Sequence, residues 1–474
     1  MVHVYNTLSG KKEPFEPLAA GKVGMYVCGV TVYDDCHLGH ARCYIAFDVI
    51  RRYLEYRGMA VTYVQNFTDI DDKIIARAAE RGVPAAELTR TYEAKYFEVF
   101  DRLNVRRADR YPRATEEIGG MIGMIGRLMD KGHAYEADGD VYFSTKSFSG
   151  YGKLSKRSED SLLAGARVEI SDKKRDPLDF ALWKKAKAGE PFWPSPWGDG
   201  RPGWHIECSV MSQKYVGVTL DVHGGGQDLI FPHHENEIAQ SEADTGRPFV
   251  RYFLHNGFVT VDGEKMSKSM GNFRTLEELY RRCPPDALRF FILSTHYRSP
   301  LTFTAKKLED ATAGLSRLRE GYRRLKELLA ANPNPAGGPA EPIDPERARA
   351  EFEAAMDDDF NTAEAVGTIF RVLSEVNRLH ERSGRDGLPD GTTLEGLRRL
   401  EAFLKQVTRD VLGIDPEPPA VPDDNADRVS GLLAERERAR KEKRYKDADR
   451  LRMELLEMGY QIQDTPQGPR AIRK

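Results

Sequence analysis

No apolar stretch in this 474-residue chain approaches the ~20 residues that a bilayer-spanning helix requires, so no membrane span is expected. The start, Met1 to Lys12, is polar and lacks the apolar core of a secretory signal. Cysteine is scarce and odd in number: Cys28, Cys36, Cys43, Cys208 and Cys283. A chain this long does not need disulfide staples, so the expectation is reduced thiols in a cytoplasm, each either packed in a core or bound to a metal. An excess of charge of one sign is also missing. Lys plus Arg total 71 against 74 for Asp plus Glu, and a net charge of -3 neither favours nor excludes a nucleic-acid partner. Apolar residues, in contrast, are plentiful: 40% hydrophobic against 31% charged, with a mean hydropathy of -0.56, supports several packed cores. At roughly 150 residues per domain the chain holds about three.

The first 70 residues read as a strand, a helix and a strand. Gly24-Met25-Tyr26-Val27-Cys28-Gly29 is an apolar run bounded by glycines, followed by a turn at Tyr33-Asp34-Asp35. Leu38, Ala41, Ile45, Val49 and Tyr53 then recur at helical spacing up to a stop at Gly58, and Val61-Thr62-Tyr63-Val64 resumes as strand. Such a unit implies a right-handed crossover and a parallel sheet whose ligands sit at the carboxyl ends of its strands. From about Ile122 to Pro196 the pattern changes to short alternating segments such as Asp140-Val141-Tyr142-Phe143, as an insertion would. Its end holds or closely precedes all four tryptophans, Trp183, Trp193, Trp197 and Trp204. Strand signals return at Thr219 to Val222 and at Phe258 to Val261. From Leu308 onward the pattern is helical, broken by linkers at Asn332 to Pro339 and at Asp415 to Pro419.

Three segments carry chemistry. His37-Leu38-Gly39-His40 lies at the strand-to-helix turn, where free N–H groups and the positive end of the helix dipole favour a polyphosphate, and the glycine leaves room for a flat base. Lys265-Met266-Ser267-Lys268-Ser269, between Asp262-Gly263 and Gly271-Asn272, suits a mobile cationic clamp on a leaving pyrophosphate. Either could be an ordinary surface segment by itself; both flanking one parallel-sheet domain point to a nucleotide site. In Phe231-Pro232-His233-His234-Glu235-Asn236-Glu237 the proline reads as the first residue of a helix, and His233 and Glu237 share a face four residues apart. Cys28 and Cys208 would complete a Cys₂HisGlu metal set, although spacing alone does not bring positions so distant together.

Several blocks, in order, resemble the cysteinyl-tRNA synthetase family of class I aminoacyl-tRNA synthetases. They are Tyr26 to Asp34, His37 to His40, Asn66 to Lys73, Arg201 to Ser209, His223 to Gly226, Asp228 to Glu237, Lys265 to Ser269 and Asp358 to Thr362. The resemblance covers nearly the whole chain. It implies an α/β fold with a Rossmann-like parallel-sheet catalytic domain in two halves, 1–121 and 197–307, around an inserted connective subdomain, 122–196. An α-helical bundle, 308–412, and a small C-terminal anticodon-binding domain, 423–474, would follow. It also implies ATP-dependent activation of L-cysteine and transfer to the terminal adenosine of tRNA(Cys), by a cytoplasmic monomer with one Zn²⁺ per chain and Mg²⁺ with ATP.

Residue by residue, the resemblance gives the zinc to Cys28, Cys208, His233 and Glu237, and the cysteine pocket to Thr68, Trp204 and Asp228. ATP falls to His37, Gly39 and His40, with Lys265 and Lys268 on the phosphates. Cys36 and Cys43 are read as packing residues. Charge asymmetry appears at the end of the chain, where Arg436, Arg440, Lys441, Lys443 and Arg444 crowd one predicted helix before Asp447 and offer a phosphate-tracking face. Interleaved Glu435, Glu437 and Glu442 would equally suit a solvated, ion-paired helix. Where the family often has Thr and Trp near its end, this chain has Gly468 to Ile472, which removes or moves a stacking contact with an anticodon base. Two other readings stay open: a ligase joining cysteine to an amino sugar through the same adenylate, and a non-catalytic zinc- and RNA-binding relative.

Overall fold

The computed structural model of the chain describes residues 1–156, 172–266, 272, 274–330, 343–386, 391–417, 425–465 and 468–473. Its central element is a four-stranded parallel sheet of β1 (Lys22–Val27), β2 (Ala60–Gln65), β3 (Leu220–Gly226) and β4 (Val250–Asn256), in the order β4-β3-β1-β2. The β1–β2 crossover is α1 (Leu38–Tyr56), as the helical spacing predicts, and Gly58 takes a left-handed φ of 83° just beyond the helix. Alternate residues of β1 face opposite ways. Val23, Met25 and Val27 pack into one core with Ile45, Val49 and Tyr53 of α1. Tyr26 and Cys28 join the other core with Met211 and Ile238, from α2 (Trp204–Tyr215) and α3 (Glu235–Thr245). Each fully buried aliphatic side chain contributes about 1.5–3 kcal/mol.

One strand appears where the pattern announced none, and one expected strand lies elsewhere. β4 gives almost no apolar alternation in Val250-Arg251-Tyr252-Phe253-Leu254-His255-Asn256, yet it is the edge of the main sheet. An N-terminal hairpin (His3–Asn6 with Lys11–Pro14) covers that edge: Asn6 Nδ2 donates to Arg251 O, and Phe253 N donates to Asn6 Oδ1 at 3.0 Å. Phe258 to Val261 does not extend the main sheet. Val259–Val261 pairs instead with Leu301–Phe303 and Glu264–Lys265 in a separate sheet, because the chain turns at Gly257, where a Cβ would lie 2.5 Å from Ser299 O.

The inserted segment is an antiparallel sheet of Ala134–Ala137, Asp140–Phe143, Phe180–Lys185 and Gly200–Pro202, so its last strand lies beyond residue 196. Trp183 is fully buried in its core. Four long helices follow: α4 (Ala305–Ala330), α5 (Pro345–Asp357), α6 (Thr362–Asp386) and α7 (Gly391–Lys405). The end of the chain is α8 (Ala426–Lys441), α9 (Tyr445–Glu457) and a hairpin of Tyr460–Thr465 with Gly468–Arg473. The basic run expected on one helix therefore straddles a break: Lys443 has a φ of 59°, and Arg444 N donates to Ala439 O, which caps α8.

A buried ion cluster ties α1 to the bundle. Arg289 is fully buried, with Nη2 at 2.5 Å from Asp48 Oδ2, Nε donating to Leu412 O and Nη1 to Leu103 O. Arg52 binds the same Asp48 oxygen at 2.9 Å. Burial would raise the Asp48 carboxyl, but the two guanidiniums more than offset it and hold it below the ordinary value. Gly413, at φ 68°, lets the chain pass where a Cβ would meet Arg289 Nη2 at 2.4 Å. Arg289→Leu leaves Asp48 with Arg52 as its one cationic partner, beside the Arg106 N–H, and strips the guanidinium from the Leu412 and Leu103 carbonyls. The expected loss is about 3–5 kcal/mol in urea unfolding followed by circular dichroism, and a loss below about 1 kcal/mol would refute this account.

Candidate active site

The carboxyl ends of β1 and β3 open into a cleft of ≈ 430 Å³, lined by Cys28 and Trp204 at one end and by His37, Gly39, His40 and Met266 at the other. His37 is the N-cap of α1. Its Nδ1 accepts from Gly39 N at 3.1 Å and His40 N at 3.3 Å, while His40 Nδ1 accepts from His37 N at 3.4 Å. With both Nδ1 atoms acting as acceptors, each neutral ring carries its proton on Nε2. The rings stack at 3.6 Å between centroids. The turn thus presents two aligned ring donors at a helix N-terminus, an arrangement suited to phosphate. A Cβ on Gly39 would lie 2.9 Å from the His37 ring and 3.6 Å from Met266 Cε, so the space over this glycine belongs to the cleft.

Met266, directly after Lys265, reaches the same turn beside Gly39. Lys265 pairs by backbone with Thr260, and past the loop Leu38 N donates to Arg274 O and Leu276 N to Cys36 O. Lys268 and the rest of Ser267 to Gly271 lie outside the described residues.

At the cleft floor, Cys28, Cys208, His233 and Glu237 converge, with one donor atom of each within 4.8 Å of the others and all four buried. Cys28 follows β1, Cys208 lies in the second turn of α2, His233 comes from the β3–α3 connection and Glu237 from the first turn of α3. The helix expected to start at Pro232 does not. Phe231 is extended (φ -138°, ψ 131°), the Phe231–Pro232 bond is cis, and α3 begins at Glu235 after an irregular turn. His233 Nε2 still reaches Glu237 Oε1 at 2.8 Å. Burial would raise the Glu237 carboxyl, but the His223 and His233 imidazoles outweigh it and hold the group well below the ordinary range. The Cys28 thiol, donating across 3.9 Å, pulls the Cys208 thiol down to about 6 against its burial, while burial pushes Cys28 up.

These donors fit a soft divalent metal. Tetrahedral ligands at Zn–S distances of about 2.3 Å put two sulfurs about 3.8 Å apart, close to the 3.9 Å found. A second set, Cys28, His223, His234 and Glu237, is also close enough. It offers one sulfur instead of two. Its histidines also hold supporting contacts, His223 Nε2 with Glu237 Oε2 at 2.7 Å and His234 Nδ1 with His255 Nε2 at 2.8 Å. The two-sulfur set suits a thiophilic ion better. Sequence reasoning missed these supporting histidines, and His205, whose Nδ1 lies 2.8 Å from His233 Nδ1. The only signal was the proximity of His223 to a glycine run and of His234 to His233.

The three pocket residues fare unequally. Trp204 stacks on His233 at 4.1 Å and stays 38% exposed on the cleft, and Asp228 lines the same cleft. Thr68 is buried one layer behind: its backbone bridges the cleft residue Thr31, and its hydroxyl donates to Glu207 Oε2 at 2.9 Å. In the C-terminal segment Arg440, Lys441, Lys443 and Arg444 are exposed, and Arg444 is paired with Glu442 and Asp447. Arg436 is only 8% exposed. It lies on the inward face of α8 with Val429 and Ala439.

Family models match in three consecutive stretches. They are the tRNA synthetases class I (C) catalytic domain over residues 14–313, the DALR domain over 351–414 and the cysteinyl-tRNA ligase anticodon binding domain over 423–469. Among solved structures, Mycobacterium tuberculosis methionyl-tRNA synthetase in complex with methionyl-adenylate superposes with a TM-score of 0.64 at 18% identity, over 83% of this chain and 92% of that one. A parallel sheet with a histidine turn at its first helix, this likeness and the catalytic-domain match together define a class I aminoacyl-tRNA synthetase. The cysteine–tRNA ligase of Heliobacterium modesticaldum is 54% identical over 483 residues, and that of Caldicellulosiruptor saccharolyticus 51% over 475, each covering 99% of both chains. The chain belongs to the cysteine–tRNA ligase family.

Cys208→Ser should strip most of the bound metal, measured by atomic emission on purified protein, whereas His234→Asn should retain it. The reverse pattern would transfer the site to the second donor set.

Proposed function

We propose that the chain activates L-cysteine with ATP and charges tRNA(Cys). The observation that carries this reading is the single cleft with a sulfur-rich cluster at one end and a stacked histidine turn at the other, in a chain whose relatives match from end to end. In the first step a carboxylate oxygen of cysteine bonds to the α-phosphorus of ATP, and the bond to the departing pyrophosphate breaks. In the second, the terminal ribose hydroxyl of the tRNA bonds to the activated carbonyl carbon, its proton is lost, and AMP leaves. His37 and His40 donate from Nε2 to the phosphates, Gly39 admits the adenine ring, and Lys265 and Lys268 neutralise charge that builds on the leaving group. Asp228 receives the substrate ammonium, Trp204 walls the side-chain pocket, and Thr68 supports that wall from behind. ATP enters as its Mg²⁺ complex.

Cys28, Cys208, His233 and Glu237 are proposed to hold one Zn²⁺. A bound zinc supplies selection, accepting a thiolate far more readily than a serine hydroxyl, where pocket shape alone discriminates poorly. The chain's part is to keep the floor dry and its donors oriented, through His205 on His233 and His223 on Glu237.

The catalytic halves 1–121 and 197–307, the insertion 122–196, the bundle 308–412 and the anticodon domain 423–474 form the proposed organisation. A monomer is the proposed state, since the cleft and the donor cluster are complete within a single chain's fold and call for no residue from a second copy. All five cysteines are free, which supports a reducing cytoplasm.

Cysteine-dependent ATP–pyrophosphate exchange by the metal-replete protein, followed by charging of tRNA(Cys), is the decisive experiment. No exchange would remove the enzyme reading and leave the non-catalytic relative. Exchange with transfer to an amino sugar but not to tRNA would assign the rival ligase. For the RNA face, the double variant Arg440→Ala/Lys441→Ala should raise KM for tRNA several-fold and flatten its salt dependence by about one to two counterions, with exchange unaffected. An unchanged salt slope would place the RNA elsewhere.

A further inference from the structure

Arg42 lies on α1 two residues beyond His40 and is 1% exposed, yet among the described residues no carboxylate pairs with it. Its guanidinium is enclosed instead by four carbonyls, one at the end of the helix Pro285–Leu293 and three in the loop that follows it. Nη1 donates to Ile292 O at 2.8 Å and Thr295 O at 3.1 Å, and Nη2 to His296 O at 2.5 Å and Ser299 O at 3.3 Å. Nε is buried with no hydrogen-bond partner. A buried cation without a counter-charge is costly, so its presence calls for a reason other than stability.

That loop backs the far wall of the cleft. Gly257 N donates to Tyr297 O and Leu301 N to Phe258 O, each at 2.8 Å, and Gly257 and Phe258 line the cleft. From there the chain runs into Val259–Val261, on which Glu264–Lys265 is paired. The side chain of Arg42 thus reaches from the helix that starts at His37 to the support of the wall that carries Lys265.

We propose that Arg42 is a positioning residue that sets the gap between the two nucleotide-facing walls of the cleft. Its planar fork can hold four carbonyls at once, whereas a lysine offers three donors from one point. The cysteine end is built from β1, α2 and the β3–α3 connection, none of which Arg42 touches in these four bonds. A slackened gap therefore disturbs ATP and spares cysteine.

This inference rests on reading the cleft as an ATP site. The test uses the full-length, metal-replete protein and its Arg42→Gln and Arg42→Lys variants in cysteine-dependent ATP–pyrophosphate exchange. Expected for Arg42→Gln is a rise of about tenfold or more in KM for ATP, with KM for cysteine within about twofold and metal content unchanged; Arg42→Lys should fall between it and the unaltered protein. An unchanged KM for ATP, or equal rises for ATP and cysteine, would overturn the proposal. Should Arg42→Gln be insoluble, Arg42→Lys carries the same test, and insolubility of both would make Arg42 a folding residue and overturn it as well. Absence of exchange in the unaltered protein would remove the ATP reading itself, and this inference with it.

Discussion

The fully buried Glu237 carboxylate is the constraint around which the catalytic half is arranged. An anion in a dry interior persists only if cations or strong donors surround it. Here His223 and His233 take one oxygen each, at 2.7 and 2.8 Å, and two thiols stand beside them. Satisfying that one group requires a strand end, two helices and an irregular turn to meet at a point, and it makes the point attractive to a divalent cation. The donor cluster at this end of the cleft is therefore a consequence of solving a burial problem. The other end of the cleft faces no such problem: the N–H groups of Gly39 and His40 at the helix start are taken by His37 Nδ1, and the two imidazoles line the cleft.

How much of this is legible from the chain depends on distance along it. The β1–α1–β2 unit reads directly, because its periodicities and glycine stops are local, and so does the histidine turn. β4 does not, and the reason is functional. His255 supports His234, Asn256 lines the cleft, and Arg251 sits on a covered edge, so the strand carries polar residues where alternation would show apolar ones. The break between α8 and α9 is invisible for the opposite reason: Arg, Lys and Glu all favour helix, and nothing local marks Lys443 as the residue that turns left-handed. The inward face of α8 that buries Arg436 is hidden in the same way. The donor cluster is legible only through a family resemblance, since 180 residues separate Cys28 from Cys208. Of the supporting histidines, nothing but adjacency could be read.

The buried charges outside the site form a pattern of their own. Arg42, Asp48, Arg52 and Arg289 are all at most 5% exposed, and the first three lie on α1. Arg42 reaches the loop behind the far wall of the cleft, while Arg52 and Arg289 reach the carbonyls where the bundle returns to the catalytic domain, at Asp410 and Leu412. Apolar side chains would fill these spaces at lower cost, but they would leave neighbouring carbonyls unsatisfied and let the elements slide. A guanidinium fork bonded to several carbonyls fixes both distance and orientation. One helix thus begins at the histidine turn and is pinned along its length to the segment behind the far wall of the cleft and to the end of the bundle. A rigid common member of that kind keeps the first helix of the parallel sheet, the far wall of the cleft and the returning end of the bundle in one fixed register.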